Sequence, residues 1–309
     1  MAYKVFIDGS EGTTGLQLHK RLAARQDIEL LSIEKELHRD IERRRELINT
    51  ADVVFLCLPD KAAVEAVELC SNPQTVIIDA STAHRVNKNW VYGFPELSAN
   101  QKKAIASAKR IANPGCYATG AISILYPLIS AGIMPKDYPV SINAVSGYSG
   151  GGKKMIAAYE QGGASDELIY PRTYGLELHH KHLPEIQQIS GLGNKPLFQP
   201  QVGNYYAGMA VSIPLFPALL NAGDIGSIKE VYKEHYAGQS FVSLAELPAD
   251  GFINAGRNTG TNNLSLYVYG NDEQIIVTSI LDNLGKGASG AAVQNMNIVL
   301  GLEEEAYLK

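Results

Sequence analysis

The chain has 309 residues, of which 45% are hydrophobic, so it can bury a sizeable core and has room for about two domains. Its formal net charge is −5, and a weakly acidic surface disfavours general nucleic-acid binding. The apolar run before Asp8 is too short for a signal peptide, and the uncharged stretch 117–135 is interrupted by Pro127. We therefore expect a cytosolic protein with no membrane segment, and its three cysteines cannot form a disulfide framework.

The first part of the chain, to about residue 115, alternates short apolar runs with longer charged segments. The runs that predict buried strands of a parallel sheet are Val5–Ile7, Ile28–Ile33, Ala51–Leu58 and Thr75–Ile78. Helical spacing in Gly15–Gln26 and Pro59–Leu69 completes a βαβαβ half-sheet. The charged segment Lys35–Glu46 reads as a solvated helix face, with Lys35 or Arg39 on a nucleotide phosphate as the alternative.

The part of the chain after Gly115 is richer in glycine and proline. Longer alternating runs at Tyr206–Leu215 and Asn263–Tyr269 predict a mixed or antiparallel sheet, which makes this part a second domain. The last periodic segment, Gly287–Leu300, predicts a helix.

A glycine-rich loop, Gly9-Ser-Glu-Gly12-Thr-Thr-Gly15, follows the first predicted strand and opens a helix. Such a loop lets the backbone approach a pyrophosphate at the helix N-terminus, although a plain tight turn has the same composition. The predicted dinucleotide contacts are Gly9, Ser10, Gly12, Thr13, Thr14 and Gly15. After the second strand, Glu34 could bind a ribose, whereas Ser32 and Lys35 could hold a 2′-phosphate, so these residues leave NAD or NADP open.

One of the three thiols has a setting that suits chemistry. Cys116 follows Asn113-Pro-Gly and opens a long apolar helix, and a helix N-terminus stabilises the thiolate form. Cys57 lies inside an apolar run, and Cys70 lies at the end of a helical pattern without a polar partner, so both are expected to be structural. A thiolate beside a nicotinamide suggests aldehyde or acyl redox chemistry, and a small structural cysteine at position 116 is the alternative.

A histidine cluster, His179-His180-Lys-His182-Leu-Pro-Glu185, holds three of the seven histidines. If Pro184 opens a helix, His182 and Glu185 share its first turn, and the carboxylate would raise the imidazole pKa. His180 would then point to a substrate carboxylate. A zinc site and a plain surface run are the competing interpretations.

The loop Asn143–Lys154 joins a predicted strand to a helix. Ser149, Gly150 and Lys153 could present N–H groups and a cation to an anionic substrate. A flexible turn with solvated lysines would have the same sequence.

Taken together, these segments resemble the short-form N-acetyl-γ-glutamyl-phosphate reductases of the semialdehyde dehydrogenase family. The motifs that carry the resemblance are Asn113-Pro-Gly-Cys116-Tyr-Ala-Thr, His180-Lys-His182-Leu-Pro-Glu185, Tyr92-Gly-Phe-Pro-Glu-Leu97, Val145-Ser-Gly-Tyr-Ser-Gly-Gly-Gly152 and Asp282-Asn-Leu-Gly-Lys-Gly-Ala-Ser-Gly-Ala-Ala-Val-Gln-Asn295. The resemblance implies an α/β fold, with a Rossmann-type parallel-sheet domain at 1–115 plus 285–309. It implies a second α+β domain at 116–284 for catalysis and oligomerisation, as a homodimer or homotetramer.

The resemblance also implies an NADPH-dependent reductive dephosphorylation of a small acyl phosphate to a semialdehyde, with no metal. Cys116 would be the nucleophile, and His180, His182 and Glu185 would handle protons or substrate. Asn283 would contact the cofactor and Arg85 the substrate phosphate. The chain departs from the family's usual acidic and aromatic residues before this arginine, having Ser81-Thr-Ala-His84 instead. The rival hypotheses are a sister reductase for aspartyl or aminoadipyl phosphate and a Rossmann nucleotide sensor without a reaction.

Overall fold

The computed structural model describes residues 2–161 and 166–308. The strands, in chain order, are β1 (Tyr3–Asp8), β2 (Ile28–Leu31), β3 (Val53–Leu56), β4 (Val76–Asp79), β5 (Val91–Tyr92), β6 (Arg110–Ala112), β7 (Ser141–Gly147), β8 (Arg172–Thr173), β9 (Leu197–Gly203), β10 (Met209–Leu215), β11 (Val242–Leu244), β12 (Leu264–Gly270) and β13 (Ile275–Leu281). The α-helices are α1 (Thr13–Leu22), α2 (Ile41–Thr50), α3 (Asp60–Glu68), α4 (Ala99–Ser107), α5 (Cys116–Ser130), α6 (Gly152–Gln161), α7 (Asp166–Ile169), α8 (Leu183–Ser190), α9 (Ile225–His235) and α10 (Gly290–Val299).

The chain divides into two compact units. The first comprises Met1–Pro95, Ala99–Pro114 and Ala288–Lys309, and the second comprises Glu96–Ser98 and Gly115–Gly287. In the described ranges, no helix combines the length and the apolar character that crossing a bilayer requires.

The first unit is built on a parallel six-stranded sheet with the order β2-β1-β3-β4-β6-β5. The predicted parallel half-sheet is thus confirmed. Every residue of β3 and β4 is buried, which explains why their sequences are continuous apolar runs rather than alternating ones. The strand order reverses between β1 and β3, and ligands of such sheets bind outside the carboxyl ends at that position. Helix α10 packs in the same unit, against α4 and β4.

The charged segment 35–46 does not form the one continuous helix face that its composition suggests. A short 3₁₀ turn covers Lys35–Leu37, and α2 begins only after Asp40. The Asp40 carboxylate accepts a hydrogen bond from the Arg43 backbone N–H at 2.8 Å, which caps the new helix. The helix therefore starts where a side chain can satisfy its first free N–H groups.

The second unit contains a mixed seven-stranded sheet with the order β11-β12-β13-β10-β7-β9-β8. The pairs β7/β9 and β11/β12 are parallel and the others are antiparallel, as expected for a mixed sheet. Strand β10 starts three residues later than the alternation predicts, directly after Gly208, which has a φ of +114°. Residues with β-carbons rarely adopt that conformation, so the extended chain begins after it.

Helix α5 forms the centre of this unit's core. It packs against β10, β13, α8 and α9, and most of its residues are buried. A Cβ at Gly120 would lie 2.6 Å from Val211 Cγ2, so glycine lets the helix approach the sheet closely. Most of the long uncharged stretch therefore forms a buried core helix.

Candidate active site

Cys116 is the first residue of α5. Gly115 occupies the N-cap with extended backbone angles, and no acidic residue lies in the first turn. The Thr119 backbone N–H donates to the Gly115 carbonyl at 2.8 Å and its hydroxyl donates at 3.0 Å, which fixes the start of the helix. The half-buried Cys116 thiol thus lies at the positive end of a rigid helix, where a thiolate is favoured.

Glu185 holds the residue before the thiol. Its Oε1 accepts a hydrogen bond from the Gly115 backbone N–H at 2.9 Å, and the residue is only 1% exposed. The sequence interpretation gave this carboxylate to His182, with which it shares the start of α8. The structure adds a bond that anchors the segment leading into Cys116.

The two histidines of the predicted cluster lie against the residue that follows the thiol. The Tyr117 ring centroid is 5.8 Å from that of His180 and 6.1 Å from that of His182. The His182 backbone N–H donates to His180 Nδ1 at 3.2 Å, and the two rings are 4.8 Å apart. His182 is buried at the start of α8, whereas His179 is exposed and bonds the Glu177 carbonyl. The fold therefore groups Cys116, His180, His182 and Glu185 on the facing starts of α5 and α8.

A pair of tyrosines in the same group was missed by sequence reasoning. The Tyr174 hydroxyl donates to the Tyr117 hydroxyl at 3.0 Å, which donates to the Gln201 carbonyl at 3.2 Å. Burial raises the pKa of Tyr174 to about 12, against the opposing hydrogen bond to Tyr117, and negative charge on Cys116 adds to the rise. Burial likewise raises the pKa of Tyr117. Tyr174 lies in an irregular segment far from the Cys116 motif, so no local signal could identify it.

The loop after β7 carries Ser149 in a short 3₁₀ turn that leads into α6. Ser149 is buried, and its Oγ accepts a hydrogen bond from Asn283 Nδ2 at 2.9 Å. Asn283 Oδ1 accepts from the Gly208 backbone N–H at 2.8 Å, so both ends of this predicted cofactor contact are used inside the second unit. Gly150 is exposed in the same 3₁₀ turn, and Lys153 is exposed in the first turn of α6.

The three glycines of the loop in the first unit differ in how closely other backbone atoms approach them. Gly9 has a φ of +88°, and a Cβ there would lie 2.5 Å from the Cys57 carbonyl oxygen. A Cβ at Gly15 would lie 2.4 Å from the Gly9 carbonyl oxygen, whereas one at Gly12 would keep 3.4 Å from that atom. The fold thus requires glycine at positions 9 and 15, whereas a Cβ at Gly12 would make only ordinary van der Waals contacts.

The start of α1 has the properties of an anion site. Gly12 is its N-cap and no acidic residue lies in the first turn. Ser10, Thr13 and Thr14 are half-buried around this end of the helix, so its N–H groups and hydroxyls are accessible. These residues fit the pyrophosphate of a dinucleotide.

The segment after β2 provides the residues that would meet the adenosine ribose. Ser32 and Lys35 are exposed, and Glu34 is engaged by Arg43 at 3.4 Å. A backbone hydrogen bond lowers the pKa of Glu34, and the bond from Arg43 lowers it further. The acid that could bind a ribose is therefore paired with a cation, and a serine and a lysine stand beside it.

Both units match family models of semialdehyde dehydrogenases. Residues 4–105 match the model described as "Semialdehyde dehydrogenase, NAD binding domain", and residues 116–283 match "Semialdehyde dehydrogenase, dimerisation domain". The N-acetyl-gamma-glutamyl-phosphate reductase 2 of Pseudomonas putida is 49% identical over 304 residues, covering 96% of each chain. The chain belongs to the N-acetyl-gamma-glutamyl-phosphate reductases of the semialdehyde dehydrogenase family.

Other members of the reductase family align with equal completeness. The N-acetyl-gamma-glutamyl-phosphate reductase of Burkholderia orbicola is 47% identical over 308 residues, covering 98% of both chains. Among solved structures, aspartate semialdehyde dehydrogenase II of Vibrio cholerae superposes with a TM-score of 0.73 at 16% identity, covering 97% of this chain and 99% of that one. The Candida albicans enzyme with NADP gives a TM-score of 0.68, also at 16% identity, with the same coverage. This likeness concerns the fold alone.

Arg85 stands in this reductase chain within a network centred on Asp79, at the carboxyl end of β4. Arg85 Nε donates to the Asn113 carbonyl at 3.0 Å and Nη2 donates to the Ala80 carbonyl at 2.9 Å. Asp79 is buried and contacts the Ser81 hydroxyl and His84 Nδ1, each at 2.6 Å. Two of the residues that depart from the family pattern, Ser81 and His84, therefore bind a buried carboxylate. An acid that ends an apolar strand was the available signal, and sequence reasoning overlooked it.

The other two thiols of this family member are unsuited to nucleophilic chemistry. Burial raises the pKa of Cys57 to about 12, and the charges of Asp79 and Asp8 raise it further. Cys70 lies after α3 and its thiol donates to the Asn72 carbonyl at 3.6 Å. Over residues 2–161 and 166–308, no group of three or more His, Cys, Asp and Glu residues is arranged to hold a metal ion.

Proposed function

We propose that the chain is the NADPH-dependent reductase that converts N-acetyl-γ-glutamyl phosphate to N-acetylglutamate semialdehyde. The observation that carries the proposal is Cys116 at the start of α5, with His180 and His182 packed on the next residue. A thiolate there can attack the γ-acyl carbon and form a thioester as phosphate leaves. The curated relatives named for this activity share 47–49% identity with the chain.

The roles of the other site residues follow from what each can donate. Donors on the Ser149 and Gly150 loop would stabilise the tetrahedral oxyanion, with Asn283 orienting Ser149. Lys153 would attract the departing phosphate, and a phosphate-binding role is also proposed for Arg85. His182, or His180, would donate a proton to the oxyanion left when the thioester is reduced, and would take it back as the thiohemiacetal collapses to aldehyde and the Cys116 thiolate. Glu185 holds the Gly115 amide and thus the position of the nucleophile.

The dinucleotide, when bound, supplies the hydride that reduces the thioester. The residues that would hold its phosphates are Gly9, Ser10, Gly12, Thr13, Thr14 and Gly15. We assign NADPH in preference to NADH because Ser32 and Lys35 are exposed after β2 while Glu34 is engaged by Arg43. Measuring kcat/KM for both dinucleotides tests this, and equal efficiency would contradict it.

The decisive experiment is a phosphate-dependent NADP reduction assay with N-acetylglutamate semialdehyde. Turnover should require phosphate, and aspartate and aminoadipate semialdehydes should turn over far more slowly. Faster turnover of either would assign the chain to a sister reductase. Mass spectrometry of the protein with acyl phosphate and no reductant should detect one acyl group on Cys116, and a non-catalytic sensor would show none.

The quaternary arrangement we propose is a homodimer formed through the sheet of the second unit. Helices α5 and α9 cover one face of that sheet, and β10 buries Val211 toward Gly120 of α5. On the other face, Asn143 is exposed and its register partner Ser212 is half-buried. Light scattering should find a dimer, and Ser212→Arg should dissociate it. A dimer that survives this change would place the interface elsewhere.

A further inference from the structure

The second unit contains a fully buried ion pair that the proposed mechanism does not use. Lys286 Nζ lies 2.7 Å from Glu96 Oε1, and the two side chains are 1% and 0% exposed. The partners are 190 residues apart in sequence. Burying two charges costs desolvation energy. Proteins in which well-packed apolar residues of similar size replace a buried ion pair are often as stable, so a contribution to stability does not by itself explain why this pair is present.

Lys286 lies in a turn of π-helix, Gly285–Ser289, that precedes α10. The glycines on either side of Lys286 press against neighbouring chain segments. A Cβ at Gly285 would lie 2.2 Å from the Thr261 carbonyl oxygen, and one at Gly287 would lie 2.7 Å from Cys116 Cβ. The backbone of the turn therefore packs directly against the Cys116 side chain. Single turns of π-helix are frequent at functional sites.

Glu96 ties the other end of the pair to the core. Its backbone carbonyl bonds His235 Nε2 of α9 at 3.2 Å. Lys286 Nζ lies 5.6 Å from the centre of the Phe241 ring, just before β11. The contacts form a continuous path from α9 through Glu96 and Lys286 to Gly287 and the Cys116 Cβ.

We propose that Glu96 and Lys286 are positioning residues that hold Gly287 against Cys116 and thereby fix the sulfur at the start of α5. The inference rests on the proposed role of Cys116 as nucleophile. A sulfur that can change rotamer at the helix start would leave both the favourable helix potential and the line of attack on the acyl carbon. The pair would then act on the rate of the thiol chemistry and not on cofactor binding.

The test compares the parent with the double variant Glu96→Leu/Lys286→Met, which removes both charges together and leaves neither one buried alone. Gly287→Ala is a second variant, because its Cβ pushes directly on Cys116. The matched control is Lys102→Met/Glu304→Gln, which removes an ion pair of 2.5 Å in the first unit. For each protein, the rate of Cys116 alkylation by iodoacetamide is measured across pH by peptide mass spectrometry. The kcat, the KM for the dinucleotide and the melting temperature are measured as well.

In the double variant and in Gly287→Ala, we expect a shifted pH profile of Cys116 alkylation and a kcat lowered about 10-fold or more. The KM for the dinucleotide should stay within about twofold and the control should match the parent. A folded double variant, or a folded Gly287→Ala, with the parent's alkylation profile would overturn the proposal. Alkylation does not depend on turnover, so this outcome can be distinguished from failure of the proposed function. Failure of the proposed function would appear as full activity of Cys116→Ser.

Discussion

Two helices of the molecule begin in the same way but are proposed to serve different anions, a phosphate at α1 and the Cys116 thiolate at α5. Helix α1 has Gly12 at its N-cap and α5 has Gly115, both with extended backbone angles, and neither has an acid in its first turn. Around α1, Thr13 and Thr14 are half-buried, so its N–H groups can meet a phosphate that enters from solvent. The start of α5 is enclosed instead, since Tyr117 is buried.

At the enclosed start of α5, contacts from distant segments also hold Gly115 and Cys116 in place. Glu185 accepts from the Gly115 N–H, and Gly287 packs against Cys116 Cβ. A thiolate on the protein's own side chain does not have to enter from solvent, so for Cys116 a fixed position matters more than exposure. With the roles proposed above, the same local structure, a helix N-terminus capped by glycine, would serve as a ligand site or as a nucleophile site according to the residues around it.

The largest effect should come from removing the anion of the enclosed helix. Cys116→Ser should lower turnover at least about 10³-fold, because a serine hydroxyl remains protonated at neutral pH. Fold and dinucleotide binding should stay intact, since the residues that would hold the dinucleotide phosphates lie in the first unit. Cys70→Ala is the control and should keep activity. Alkylation of Cys57 or Cys70, and not of Cys116, that tracked inactivation would contradict the assignment.

The next largest effects are expected from substituting the two histidines that face α5, one chiefly on kcat and the other chiefly on KM. His182→Asn should lower kcat about 10²-fold, the range expected for a lost general acid, because its ring is buried beside Tyr117. His180→Asn should chiefly raise KM, because it is the less buried of the two. Both constants are measured across pH for both variants. If His182→Asn keeps its kcat and pH profile, the roles are exchanged or withdrawn.

The open helix start can be broken without disturbing the enclosed one. Gly12→Val should raise the dissociation constant of the dinucleotide about 10-fold or more, because the side chain would stand where the pyrophosphate approaches. Stability should change little, since Gly12 has a φ of −67° and room for a Cβ. Gly15→Ala, in contrast, should lower the melting temperature, because its Cβ would meet the Gly9 carbonyl of the same loop. An unchanged cofactor titration for Gly12→Val would remove the loop from the site.

The features that could be read from the sequence are those encoded locally. The continuous apolar runs of β3 and β4 predict buried parallel strands. The glycine before Cys116 and the long apolar run after it predict a thiol at the start of a helix. Pro184 correctly predicts that a helix opens beside His182. Each of these signals spans fewer than about 15 residues, the range over which helix and strand periodicity act.

The contacts that enclose the site join distant segments and have no local signature. Glu185 meets Gly115 across 70 residues, and Tyr174 meets Tyr117 across 57. Residue pairing of this kind depends on how α5 and α8 pack, which a single sequence does not encode by spacing. The same holds for Asp79, whose partner His84 is near in sequence but whose burial depends on the sheet.

The smallest effect tests whether the thiolate charge reaches the tyrosine pair. Negative charge on Cys116 contributes to the raised pKa of Tyr174, which burial brings to about 12. Cys116→Ser should therefore lower the Tyr174 pKa from that value, and ultraviolet difference titration measures the change. Tyr174→Phe identifies the Tyr174 signal by its loss. Tyr205, whose pKa burial alone raises to about 12, is the internal reference and should not move.

The same raised pKa predicts how stability responds to alkali. The phenol of an unfolded chain titrates near pH 10, whereas folded Tyr174 titrates at about 12, so the unfolded state loses this proton first. The contribution of Tyr174 is complete below about pH 10 and is lost as pH rises toward 12. Tyr174→Phe should therefore lose less stability than the parent between pH 9 and 11 in urea unfolding, with turnover at neutral pH changed less than about 3-fold. An identical alkaline loss in both proteins would mean that the phenol is not held neutral by burial beside the thiol.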